Sequence, residues 1–130
     1  MAKSFNQAGV VPVRGGLVGL VTSSNGKRWV VPKGGVDPGY TPREAAAKEA
    51  WEEAGWVGMP DAEPIGNYTY VKEGRRRQVL VFRMLVTEVH ADWPEMSFRT
   101  REWVTPDEAI ERIEEPELQA LIRDAADVKA

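Results

Sequence analysis

Three glutamates stand close together in Lys48-Glu49-Ala50-Trp51-Glu52-Glu53-Ala54-Gly55. On a helix turning roughly 100° per residue, Glu49, Glu52 and Glu53 fall within an arc of about 100°. Such an arc is either the solvated face of a surface helix or a set of hard oxygen ligands for a divalent cation such as Mg²⁺. Two penalties weigh against the first reading. Glu49 and Glu53 are like charges at i,i+4, which costs a few tenths of a kcal/mol. Glu52 and Glu53 also occupy the last turn, where the helix dipole disfavours anions by roughly 0.3–1 kcal/mol. A bound cation offsets both. Just upstream, Pro32-Lys33-Gly34-Gly35-Val36-Asp37-Pro38-Gly39 reads as a glycine-rich loop. Backbone amides at Gly34 and Gly35, a few residues before a helix N-terminus, suit close approach to phosphate oxygens.

Local signals say how these residues are positioned. Thr41-Pro42-Arg43-Glu44 is a capping box with proline at the first helical position, and Gly55 suits the helix stop. Ala46, Ala47, Ala50, Trp51 and Ala54 form the packing side, with the small Ala45 among the carboxylates. Strands are expected over 8–13 and 17–22 around Arg14-Gly15-Gly16, and Asn25-Gly26 predicts a type I′ turn leading to a strand over 29–31. Two further strands, over 65–72 and 78–89, are joined near Glu73-Gly74, with Arg75, Arg76 and Arg77 at the turn. A short strand near 102–104 and a helix capped at Thr105-Pro106-Asp107-Glu108 follow, and Pro116 restarts a second helical segment. The pattern is a mixed sheet with a few helices, α+β in class.

The chain has 130 residues, 42% hydrophobic and 28% charged, with no cysteine. That suits one domain over 1–130 with its own core, and excludes a disulfide scaffold. No apolar run is long enough to span a membrane, and Met1-Ala2-Lys3-Ser4-Phe5 lacks the apolar region of a secretory signal, so a cytoplasmic location is expected. The net charge of −3 is uneven, with eight acids against three bases over 103–130. A pI near 5.3 argues against a general nucleic-acid binder while allowing a local basic face for a small polyanion.

Read together, Gly34, Tyr40 after five intervening residues, and Lys48-Glu49-Ala50-Trp51-Glu52-Glu53-Ala54-Gly55-Trp56 after seven more resemble the Nudix box, G-x5-E-x7-R-E-U-x-E-E-x-G-U with U apolar. Its spacing is kept across 34–56, and the order of flanking elements suits the α/β/α sandwich of that fold. Tyr40 stands where the pattern has glutamate, and Lys48 where it has arginine, keeping the charge but losing the bidentate fork. The resemblance implies a phosphoanhydride hydrolase using Mg²⁺, with Mn²⁺ as the substitute. Glu49 and Glu53 would ligate the metal with the Lys33 backbone carbonyl. Glu52 would act as base or orient the attacking water.

Beyond the box, Val86-Thr87-Glu88-Val89, Asp92-Trp93, residues 99–103 and Asp107-Glu108-Ala109-Ile110 resemble the diphosphoinositol polyphosphate and diadenosine polyphosphate phosphohydrolases. That branch implies a phosphate-crowded small molecule as partner, held by the basic turn Arg75, Arg76 and Arg77, by Arg28, Lys33 and Arg99, and by a polar loop at Ser23 and Ser24. Two departures, Phe5-Asn6-Gln7 for a basic cluster and Glu117 for a lysine, leave fewer cations. They shift the balance toward a dinucleoside polyphosphate or another nucleoside diphosphate derivative. The rivals are a nucleoside triphosphate or ADP-ribose pyrophosphatase, and a non-catalytic Nudix-fold nucleotide-binding module, to which Tyr40 and Lys48 lend support. Glu95 and Glu102 are candidates for an extra carboxylate at the metal. His90 reads as a strand-end surface residue, and Trp29 and Trp51 as structural.

Overall fold

A computed structural model describes residues 5–127. Met1, Ala2, Lys3 and Ser4, the start of the segment read above for a secretory signal, lie outside the described residues, as do 128–130. Among the described residues no helix is long and apolar enough to cross a membrane.

The first two strands, β1 (Gln7–Arg14) and β2 (Leu17–Thr22), form an antiparallel hairpin. A two-residue strand β3 (Trp29–Val30) pairs with β2, and β4 (Lys33–Gly35) pairs with β1. Helix α1 (Pro42–Ala54) follows, then β5 (Trp56–Pro60), β6 (Gly66–Lys72), the long β7 (Arg75–Val89) and β8 (Arg101–Val104). Two helices close the order, α2 (Pro106–Arg112) and α3 (Pro116–Asp127). The strands make one eight-stranded mixed sheet, in which β1 lies parallel to β7 and the other pairs are antiparallel.

Strand alternation divides the core in two. Val11 and Val13 of β1 with Val79 and Val81 of β7 face α2 and α3, where Ile113, Leu118 and Ile122 meet them. Ala8 and Val10 with Phe82, Met84 and Val86 face α1 and its alanines. Each of the two central strands therefore buries both faces, as its nearly continuous apolar run requires. The result is the α/β/α sandwich expected from the sequence.

Three local expectations are corrected, and one strand is added to those expected. The glycine-rich loop is partly a strand, because Lys33, Gly34 and Gly35 lie opposite Gly9, Ala8 and Gln7. The Asn25–Gly26 turn is not type I′: only Gly26 has positive φ, and the loop is closed by Ser23 N–H donating to Arg28 O at 2.8 Å. Positive φ at both central residues occurs instead at Glu73–Gly74, which connects Lys72 directly to Arg75. That tight connection draws Arg75, Arg76 and Arg77 into β7, out of the turn. Finally, β5 carries little alternation of its own and becomes a strand by pairing with the end of β7.

Helix α1 starts as its capping box dictates, with Thr41 Oγ1 accepting from Glu44 N–H and the Glu44 carboxylate accepting from Thr41 N–H. It stops at Gly55, which is left-handed at φ 68° and donates to Trp51 O. A Cβ there would stand 2.8 Å from Trp93 Cβ. Gly55→Ala therefore combines left-handed strain with a collision and is expected to destabilise the fold by about 2–3 kcal/mol. A thermal melt with a drop below about 2 °C would contradict this.

Candidate active site

On α1, Ala45, Ala46, Ala50 and Ala54 are buried against the sheet, and so is Glu53, only 4% exposed. Trp51, assigned to the packing side from sequence, is instead 36% exposed and meets His90 edge-on, while Ala45 moves into the core. The Glu53 carboxyl is pushed up to about 8, chiefly by burial, against the opposing pull of Arg99 and Lys33. Glu49 is raised by the same cause, opposed by its interaction with the neighbouring Glu53 carboxyl. Gly34 supplies the wall behind Glu49: a Cβ at that position would collide with the Glu49 carboxyl.

The segment after β7 secures the end of this helix. Trp93 Nε1 donates to Glu53 O at 3.0 Å and Glu95 N–H to Glu52 O at 3.0 Å, while Arg101 donates to Ala54 O and lies 3.9 Å over the Trp93 ring. Carbonyls left over at a helix end are thus satisfied, one by a cation. Arg99 lies 3.8 Å from Glu53 Oε2, pairs with Glu95 at 2.8 Å and donates to Thr22 O at 2.9 Å. Of the two extra carboxylates considered, Glu95 lies near enough to act on Glu49, whereas Glu102 pairs with Arg112 at 3.1 Å.

The two departures from the box touch each other. Lys48 Nζ lies 5.3 Å from the Tyr40 ring centroid, 3.4 Å from Asp37 Oδ2 and 3.5 Å from Glu52 Oε1. An aromatic face thus stands where the box pattern has a carboxylate, and Glu52 still receives a cationic partner.

A cavity of about 470 Å³ opens at Glu53. Of the residues nominated from sequence it gathers Ser23, Ser24, Arg28, Lys33 and Arg99. Gly34 and Gly35 lie in β4 outside its lining, and so do Arg75, Arg76 and Arg77. Arg75 and Arg76 are exposed, while Arg77, opposite Tyr70, has a buried Nε without a hydrogen-bond partner. Sequence reasoning missed Gln7, Asn25, Tyr70, Lys72 and Glu73. Alternation along β6 places Tyr70 and Lys72 on one face, but only the pairing with β7 turns that face toward the cavity. There Tyr70 OH bonds with Gln7 Oε1 at 2.8 Å, and the Lys33 ammonium, its pKa lowered by burial, lies 4.9 Å over the Tyr70 ring.

Among the described residues, no group of three or more His, Cys, Asp or Glu side chains is drawn together as a metal cluster. Buried Glu53 with the half-buried Glu49 beside it nevertheless fits a hard cation, which would take the place of the proton that burial favours on Glu53. Mg²⁺ sites commonly use only one or two carboxylates, completed by water and substrate phosphate.

Residues 5–125 match the NUDIX domain family. The chain belongs to the Nudix hydrolase family. Nudix hydrolase 16, mitochondrial, from Arabidopsis thaliana is 36% identical over 105 residues, covering 75% of this chain and 58% of that protein. Diphosphoinositol polyphosphate phosphohydrolase 3-beta from Bos taurus is 37% identical over 94 residues, covering 70% and 56%. This Nudix chain spans about half the length of the curated relatives it matches. In structure it is similar to the C. elegans Ap4A hydrolase, with a TM-score of 0.75 and 24% identity over 90% of this chain and 92% of that one, a likeness of fold.

The raised Glu53 pKa has a consequence for stability. The unfolded chain ionises near the ordinary carboxyl value, whereas the folded protein keeps this proton until about pH 8. The stability linked to it is complete below the ordinary value, is lost as pH rises to about 8, and then levels off. In chelator, melting temperature should fall between pH 5 and 8.5, Glu53→Gln should flatten that fall, and added Mg²⁺ should reverse it in the parent alone. A parent curve as flat as the variant's would contradict the assignment.

Proposed function

We propose that the chain is a divalent-metal-dependent hydrolase of a phosphoanhydride bond in a nucleoside- or inositol-diphosphate-linked small molecule. The observation that carries this reading is the buried Glu53, with the half-buried Glu49 beside it, in the wall of a cavity lined by Arg28, Lys33, Lys72 and Arg99. Glu49 and Glu53, with the Lys33 carbonyl, would hold Mg²⁺ or Mn²⁺. Bound there, the metal supplies charge neutralisation on phosphoryl oxygens and a more acidic water.

The chain's own groups do the rest. Glu52, held by Lys48 and part-exposed, accepts the hydrogen bond that orients the attacking water. Arg99 keeps Glu53 facing the cavity, with Glu95 and Thr22 O fixing the guanidinium. The Lys33 ammonium faces phosphate beside the Tyr70 ring, and Ser23, Ser24 and Asn25 offer hydrogen bonds to an uncharged part of the substrate.

Between the two substrate classes of the resembled branch, the dinucleoside polyphosphates and other nucleoside diphosphate derivatives are favoured over diphosphoinositol polyphosphates. The supporting observation is that Arg75, Arg76 and Arg77 do not line the cavity and Arg28 and Arg99 are both paired with carboxylates.

Glu53→Gln should lower turnover at least about 10²-fold, roughly 2.7 kcal/mol in the barrier, with the fold intact. The assay is phosphate release from a substrate panel with Mg²⁺ and with Mn²⁺. Near-parental turnover at saturating metal would remove Glu53 from the site, and no turnover by the parent on any substrate would favour the binding-module reading.

A second comparison separates cavity cations from surface ones. Lys72→Ala should lower kcat/KM about 10-fold, as expected for one shielded charge-assisted hydrogen bond. The exposed pair Arg75→Ala with Arg76→Ala should change it less than about 2-fold. The reverse ranking would return the basic run to the site.

A further inference from the structure

Arg28, like Arg99, is a cavity cation already occupied by the protein itself. Its backbone is fixed on both sides of the loop, with Arg28 O accepting from Ser23 N–H at 2.8 Å and Arg28 N–H donating to Ser23 Oγ at 3.2 Å. Its guanidinium then donates to two carboxylates at once, Nη1 to Glu114 Oε2 at 2.9 Å and Nη2 to Glu115 Oε2 at 3.2 Å. These glutamates lie between α2 and α3. Glu115 keeps only 15% of its side chain exposed, and its charge also reaches the Lys33 ammonium.

The connection that carries them is itself held. Gln119 Nε2 donates to Ile113 O at 2.6 Å, Gln119 N–H to Glu115 O at 3.0 Å, and Ile113 is 2% exposed. Glu117, in the first turn of α3, accepts from Thr69 N–H at 3.2 Å, tying the same region to β6. The backbone that presents both carboxylates to Arg28 is thus held in place. Of the four cavity cations, Arg99 faces Glu95 and Glu53 and Arg28 faces Glu114 and Glu115, while Lys33 and Lys72 have no carboxylate within 4.0 Å among the described residues.

We infer that Glu114 and Glu115 are specificity-determining residues that limit how many phosphates the cavity accepts, by occupying Arg28 and setting negative charge beside it. The inference rests on the proposed polyphosphate-type substrate for its catalytic arm. A substrate carrying only the cleaved anhydride is served by Lys33 and Lys72. Each additional phosphate directed at Arg28 has to displace two charge-assisted hydrogen bonds or lie against two carboxylates, either of which weakens binding.

The test compares the parent with Glu114→Gln/Glu115→Gln, which keeps shape while freeing Arg28. Binding of inorganic tripolyphosphate and of pyrophosphate is measured by calorimetry without divalent cation. The double variant should bind tripolyphosphate about 10-fold more tightly and pyrophosphate less than about 3-fold more tightly. Adding Arg28→Ala should erase the difference. Glu111→Gln/Asp124→Asn, which removes the same charge from exposed helix positions, should leave both affinities near parental. Equal tightening of both anions, no tightening, or a gain that survives Arg28→Ala would overturn the inference. If the double variant does not fold, Glu114→Gln alone, at a 64% exposed side chain, should still give a smaller gain in the same direction, and its absence would overturn it equally. In turnover, kcat/KM on diadenosine pentaphosphate relative to ADP-ribose should rise by a similar factor in the double variant. A parent that hydrolyses neither would defeat the hydrolase reading alone, because the binding ratio needs no catalysis.

Discussion

The C-terminal turn of α1 carries acids where a helix favours bases, and much of the molecule is arranged around that conflict. Its first turn contains Glu44, as the dipole prefers, but its last turn contains Glu52 and Glu53 and no base. Compensation comes from elsewhere in the chain. Arg101 and Trp93 take the final carbonyls, Lys48 faces Glu52, and Arg99 faces Glu53. The segment 93–101 thus divides its donors, Trp93, Glu95 and Arg101 answering the neighbouring helix while Met96, Phe98 and Arg99 N–H close turns of its own.

The same conflict shapes the cavity. A buried Glu53 carboxyl with Glu49 beside it tolerates company only from cations or a proton, so Lys33 and Arg99 are drawn toward it, and Arg99 is itself partly neutralised. The other wall repeats the pattern with Arg28 between two glutamates. The cavity is therefore rich in charge but close to balanced, which differs from an open basic patch on a neutral surface. It favours ligands whose charge is concentrated at one point over ligands that are charged throughout.

Sequence patterns that act within a few residues were legible. The capping box at Thr41, the N-cap at Thr105, the stop at Gly55, and the strands at β1, β2, β6 and most of β7 follow from local chemistry, and the carboxylate arc was visible from helical periodicity alone. What escaped depended on partners far along the chain. Asn25-Gly26 looked like a tight hairpin turn, but the loop is set by Ser23 closing onto Arg28, and the tight geometry went to Glu73–Gly74. That shift of the turn carried Arg75, Arg76 and Arg77 past the cavity and put Lys72 at its edge. Lys33–Gly35 and β5 are strands only because β1 and β7 offer them free edges. The pairing of Arg28 with Glu114 and Glu115 joins residues separated by more than eighty positions, and no local signal encodes it.

The alanines of α1 have a geometric consequence. Ala46, Ala50 and Ala54 are fully buried and carry one methyl each, so the helix rests on the sheet across a layer about one carbon thick. This face buries little apolar area and adds little to stability by itself. What it provides is a short, rigid spacer with no rotamers to choose between. Larger side chains would hold the helix more strongly but would lift it, and the carboxyl pair would rise with it away from Lys33 and Gly34. Catalytic groups displaced by about 1 Å lose much of their effect. Helix α1 thus behaves as a gauge block, its thickness set by the smallest side chain that still excludes water.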